Sequence, residues 1–356
     1  MLYIAIFLVL LLLRALIGRP SYLGRPLYWI VLVLLFLFAA FRYEVGCDWV
    51  GYYYQYNIVL VESKLDKLTL TGYPLWWAII ELLIKSGFSY PWLNVIAAVI
   101  FFGGVHVLAR RQPDPLAFLI LLFPVLVLNM PMSGIRQGAA IGVICVALSA
   151  FIEKRLIAFC LLTALAATLH SSALIFLLLA PMVRGSASRE RVVWTALLAI
   201  PGLYILMNTD TANLAMSRYF ETGVDAAGGS YRILWLALSG LFFVLFLRRR
   251  WFEKFHDDYR LVTIGAVAMM ALLPLLSVST VIADRLGYYL VPIQAMTFSR
   301  IPYLGLGRTG AVYSIGIYTA LIALFVSWAS LSDHFEICYV PYNNWLFETQ
   351  KPYFVH

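Results

Sequence analysis

The sequence predicts an all-α polytopic membrane protein of about 11–12 transmembrane or re-entrant helices, and three observations carry that reading. Of its 356 residues, 63% are hydrophobic and 12% charged. The mean hydropathy is +0.87. Long uncharged runs recur from end to end, each near the ~20 apolar residues that a helix needs to cross a bilayer. The net charge of +8 is spread over short loops with no basic domain, which argues against a nucleic-acid partner and fits the excess of Lys and Arg on cytoplasmic loops.

The first run, "MLYIAIFLVLLLLRALIG", lacks a basic n-region and a small-residue cleavage site, so it reads as a retained anchor. Candidate spans are 2–17, 27–41, 91–107, 115–130, 135–151, 156–169, 171–183, 192–207, 231–247, 260–277, 285–299 and 310–330. The stretch 155–184 would run about 45 Å as one helix, too long for a core of ~30 Å. A break at "LHSS" makes it a hairpin or a pair of re-entrant half-helices, with both basic flanks on one side and His170 at the far turn. Glu81 and Lys85 make 73–88 amphipathic, so that segment is expected not to cross.

With that choice the loops sort into two faces. One carries 17 Lys and Arg against 6 Asp and Glu, and the other 9 against 12. The basic face is expected to be cytoplasmic, with both termini outside. The whole chain reads as one membrane domain, 1–356, with outer segments at 42–90, 208–230 and 331–356.

Arg42, Glu44, Asp48, Arg136, His170, Arg218, Arg232, Asp284 and Arg285 then gather at or near the outer face. Arg136 opens a helix within "MPMSGIRQGAAIGV", with Ser133 as a plausible N-cap. Ser171 and Ser172 follow His170 at the hairpin's return. Arg232 and Arg285 are expected to open 231–247 and 285–299. A cation in a first turn opposes the helix macrodipole by a few tenths to about 1 kcal/mol. The repetition makes sense if an anion sits there, because helix N–H groups and guanidinium forks together hold phosphate oxygens. Plainer readings exist for each residue. Arginines at helix ends snorkel to headgroups, and Asp284–Arg285 reads equally as a local ion pair. A lone histidine is more often a hydrogen-bonded turn residue. The aromatics of "WVGYYYQY" form an interfacial belt or a sugar-stacking cleft. It is the coincidence on one face that favours a functional reading. Cys145 and Cys160 read as packing residues. Cys47 and Cys338 are candidates to pair on an oxidising face.

The segments "FRYEVGCDWVGYYYQYN", "GIRQGAAIGVICVALSAFIEKRLIAFCLLTALAATLHSSALIFLLLAP", "DRLGYYLVPIQAMTF" and "VPYNNW" resemble the EpsG family, the Wzy-type polymerases of exopolysaccharide, capsule and O-antigen. The motifs fall on Arg42, Gly46, Asp48 and a tyrosine of 52–54; on Arg136 and Gln137; on His170 to Ser172; and on Arg285 with Tyr288 or Tyr289. One departure is that the family often has an acidic residue before a Gly-Tyr pair, where this chain has Thr71-Gly72-Tyr73. The resemblance implies a metal-independent glycosyltransferase of the membrane-embedded GT-C class, in the bacterial inner membrane with its active site facing outward. The implied reaction moves a growing glycan from undecaprenyl pyrophosphate to the non-reducing end of a lipid-linked repeat unit.

On that reading Arg136 and Arg285 bind the pyrophosphate, with Arg42 and Arg218 secondary. His170 is the first choice for general base and Asp48 the second, before Glu44, Asp284 or no base. Glu44, Gln137, Tyr53, Tyr289, Asp284 and Arg232 are the candidates for acceptor or sugar contacts. No cofactor is expected, and no DxD-like pair lies in an outer loop to hold a divalent ion. Expected partners are the undecaprenyl-pyrophosphate-linked oligosaccharide and membrane lipid, with a chain-length regulator protein left open. A polysaccharide ligase acting on the same carrier would present a similar face. A lipid-linked oligosaccharide transporter would place charges mid-membrane and show internal repeats, and a membrane acyltransferase would also use a lone histidine.

Overall fold

The computed structural model describes residues 1–17, 24–61, 73–185, 190, 193 and 228–347. Most of the expected span 192–207 and Arg218 lie outside the described residues. The chain is an all-α polytopic membrane protein, with helices α1 (Leu2–Ile17), α2 (Gly24–Ala40), α3 (Trp49–Val61), α4 (Pro74–Lys85), α5 (Pro91–Ala109), α6 (Pro115–Leu122), α7 (Ile135–Ile152) and α8 (Leu156–Leu169). After a 3-10 segment at Ser171–Met182 come α9 (Gly229–Phe242), α10 (Arg248–Lys254), α11 (Tyr259–Ala271), α12 (Thr280–Ser299), α13 (Gly307–Leu331) and α14 (Asp333–Tyr339). Short π-helical stretches, Phe123–Val127 and Phe243–Leu247, continue α6 and join α9 to α10. Five helical stretches are long and apolar enough to cross a membrane, and five shorter apolar helices accompany them among the described residues.

Burial follows from where the apolar side chains can go. Leu116 to Leu122 of α6 are all buried, as a helix apolar on every side must be, and α6 packs among α1, α2, α5 and α12. On the perimeter Leu12, Ile30, Val99, Ile157, Leu245 and Ile315 are exposed, a surface suited to acyl chains and not to water. The closest helix contact is α5 on α7, where a Cβ on Gly104 would meet the Gly142 carbonyl oxygen at 1.8 Å. Only glycine permits that backbone approach.

Polar contacts gather on two faces of the helix bundle. On one, Arg14 donates to Asp114 (Nε···Oδ2 2.7 Å), Arg111 to Glu153 (2.6 Å), and Arg260 to the Met182 carbonyl. Buried Arg300 on that face binds Asp258 and Gln112. On the other, Tyr3 donates to the Tyr339 carbonyl (2.8 Å) and a two-residue ladder pairs Arg42 with Asn344 and Tyr43 with Asn343. The hairpin at "LHSS" forms as expected, with Arg155 and Met182 at the basic face and His170 at the opposite turn. Its return limb is 3-10, and at ~2.0 Å per residue its twelve residues reach about 24 Å, against about 18 Å as α-helix. The α4 segment keeps both ends on the second face. Tyr73 contacts Arg136 there, and Phe88, which accepts from Tyr56 (2.5 Å), packs on Trp92 beside Trp345.

Candidate functional site

The N-terminus of α7, the turn after α8, the start of α12 and the ends of α3 and α4 converge on this second face. Arg136 lies in the first turn of α7. Its N-cap is Gly134, not Ser133, whose hydroxyl instead accepts from the Asp48 backbone N–H (3.4 Å). The Arg136 guanidinium sits over the Tyr73 ring, 4.0 Å from its centroid. Its Nε is buried and has no hydrogen-bond partner among the described residues. A desolvated donor left unpaired costs about 1–3 kcal/mol or more, so this N–H stands out as a group awaiting an acceptor.

His170 caps α8 in an extended conformation, buried and 5.7 Å ring to ring from Tyr73. Its Nδ1 bonds Ser172 Oγ at 2.6 Å, and that hydroxyl bonds Tyr289 OH at 3.0 Å. Burial, then the charges of Arg136 and Arg285, hold the imidazole well below its usual basicity. It is therefore neutral at pH 7. The tautomer that donates Nδ1–H to Ser172 leaves the Nε2 lone pair available, whereas the other accepts from Ser172 and carries its proton on Nε2. Tyr52 completes the cluster, buried and within electrostatic range of Asp48, Arg136 and Arg285.

Several expected placements change. The helix bearing Arg285 begins at Thr280, capped by Ser279 (3.3 Å), so Arg285 lies in its second turn and does not open it. Asp284 pairs with Arg232 and not with its neighbour, through Nε···Oδ1 and Nη2···Oδ2 contacts both 2.8 Å long. Gln137 ties α7 to α12, donating to the Arg285 carbonyl (2.6 Å). Tyr53 stacks on Trp49 at 5.2 Å, and its neighbour Tyr52 is the tyrosine that reaches the cluster.

Arg42 is the clearest correction. It is fully buried and donates to the carbonyls of Ala39 (2.9 Å), Val45 (2.9 Å) and Met132 (2.6 Å) and to Asn94 Oδ1 (3.2 Å). These bonds fold the loop that carries Asp48. The same loop is fastened by a Cys47–Cys338 disulfide, a pairing the sequence offered only as a candidate, and by Gly46 N–H to the Cys338 carbonyl (2.6 Å). Glu44 takes a positive φ of 54° in this bend, and Asp48 emerges exposed beyond it. Gly46 has φ +104°, and a Cβ there would lie 1.9 Å from the Met132 carbonyl oxygen. Gly46→Ala should therefore destabilise the protein by roughly 2 kcal/mol or more, read as a lower melting temperature in detergent; an unchanged melt would contradict this account of the loop.

Tyr73 and Ser172 join the cluster, although the sequence reading gave neither a role. The Gly-Tyr pair and the residues after His170 were the available signals. Within the sequence, the model of the family described as EpsG matches residues 26–344. No curated protein and no solved structure matches the chain.

Proposed function

We propose that this chain, which belongs to the EpsG family, is a polysaccharide polymerase that moves a growing glycan from undecaprenyl pyrophosphate to the non-reducing end of a lipid-linked repeat unit. The observation that carries the reading is the buried, unpartnered Nε of Arg136 in one cluster with Arg285 and His170. The glycosidic C1–O bond to the diphosphate breaks and a bond from C1 to the acceptor oxygen forms. The acceptor's hydroxyl proton passes to His170 Nε2, and the departing diphosphate anion is met by Arg136 and Arg285. Guanidinium groups then do what a divalent ion would do elsewhere, stabilising charge as it develops.

Two further features support the reading. An apolar cavity of about 620 Å³ runs from Arg232 past Trp235, Leu321, Phe325 and Leu331, a shape suited to part of an isoprenoid chain. The Cys47–Cys338 disulfide belongs to the cluster's face, and disulfides persist in oxidising compartments, which favours the outer side of a bacterial inner membrane. Deleting the protein should leave single repeat units on the outer leaflet and no polymer ladder on a gel. Polymer accumulating on undecaprenyl pyrophosphate would make it a ligase instead, and units trapped on the cytoplasmic side would make it a transporter.

A further inference from the structure

On the basic face, far from the histidine cluster, a second cavity of about 800 Å³ opens between the end of α1, the start of α2 and the α5–α6 loop. Arg14, Arg25, Arg110, Tyr28, Trp29 and His106 line it. Arg14 is fixed by Asp114, whose carboxylate also caps α6 by accepting from Ala117 N–H (2.9 Å). Arg25 and Arg110 are exposed and have no hydrogen-bond or ion-pair partner among the described residues. Three guanidinium groups therefore face one carboxylate, and that carboxylate is already engaged. The aromatic wall is held together: Tyr28 OH pairs with His106 Nδ1 at 2.9 Å, and the Trp29 ring lies tilted against His106 with centroids 4.5 Å apart. Trp29 and Ile30 are exposed on the helix perimeter, so the cavity opens at the level where hydrocarbon meets water.

We propose that this cavity binds the phosphate headgroup of an anionic glycerophospholipid from the leaflet on the basic face. Unpaired arginines supply charge for a phosphodiester that a zwitterionic headgroup partly cancels. The aromatic wall and the adjoining apolar surface fit the glycerol and upper acyl chains, which a soluble phosphate lacks. The site lies on the opposite face from the proposed polymerase chemistry and does not depend on it.

The test titrates purified protein in zwitterionic detergent with dioleoyl phosphatidylglycerol, dioleoyl phosphatidylethanolamine or inorganic phosphate, reading bound lipid by native mass spectrometry. Wild-type protein should retain phosphatidylglycerol selectively. Arg25→Gln and Arg110→Gln should each weaken it about fivefold, and the double variant about thirtyfold. Because both side chains are exposed, the variants should melt with the wild type when lipid is absent, and Arg136→Ala should bind phosphatidylglycerol unchanged. Equal retention of the two lipids, undiminished binding by the double variant, or displacement of the lipid by equimolar inorganic phosphate would each overturn the proposal.

Discussion

Arg136→Ala should lower the rate of polymerisation by about 10²–10³, the usual cost of removing one donor aimed at charge that develops in a transition state. The size of the effect comes from desolvation. Arg136 Nε is buried and has no partner among the described residues, so a diphosphate oxygen would satisfy a donor already withdrawn from solvent. The Tyr73 ring beneath it, 4.0 Å away, fixes the guanidinium plane, which a lysine does not share. Arg136→Lys should therefore recover only part of the rate. Arg285→Ala should produce a loss of the same order, and the double variant less than the product of the two, since both groups serve one anion. The check is the polymer ladder from cells in which the variant is inserted at wild-type level. Normal ladders from both single variants would remove the pyrophosphate role.

His170→Gln should cost about 10²–10⁴ in rate, the range for a positioned general base. The hydrogen-bonded series Tyr289–Ser172–His170 gives a finer test. Ser172→Ala leaves the imidazole in place but removes the hydrogen-bond partner of its Nδ1. It should lower the rate less than His170→Gln and shift the pH profile. Because burial and two arginines depress the basicity of His170, wild-type activity should persist well below pH 6.5, where an ordinary histidine would be protonated. The sign for stability follows from the same shift. Below about pH 6.5 the unfolded imidazole takes a proton that the folded one refuses, so stability falls as pH falls. His170→Gln should flatten that dependence in melts between pH 7 and 5. Should Asp48→Asn abolish activity while His170→Gln retains it, the base is Asp48, which lies exposed on the loop that Arg42 and the disulfide hold.

The two-sided distribution of charge was legible in the sequence because loops between apolar helices have nowhere else to put ions. Hydropathy likewise located most helices, and the break at "LHSS" followed from the segment's length and its two basic flanks. Pairing was harder. Asp284 is next to Arg285 in sequence, yet neighbours on a helix point about 100° apart, and α9 delivers Arg232 to it instead. Arg42 reads as a ligand because its spacing matches a motif, while its burial depends on carbonyls ninety residues away at Met132. Of the tyrosine run, helical phase chose Tyr52 for the interior and turned Tyr53 onto Trp49. The α12 start was misplaced by five residues because Ser279, a good cap, precedes a stretch of modest hydropathy. Tyr73 belongs to a Gly-Tyr pair that gave no role by itself, and its contacts with Arg136 and His170 are what mark it.

The central claim is that Arg136, Arg285 and His170 form one receptor for a lipid-borne diphosphate. Binding of undecaprenyl pyrophosphate to the purified protein in nanodiscs, compared with the monophosphate, tests it most directly. The account predicts saturable binding that favours the pyrophosphate and is lost in the Arg136→Ala, Arg285→Ala double variant, with Arg25→Gln unaffected. Equal affinity for both lipids, or undiminished pyrophosphate binding by the double variant, would contradict it.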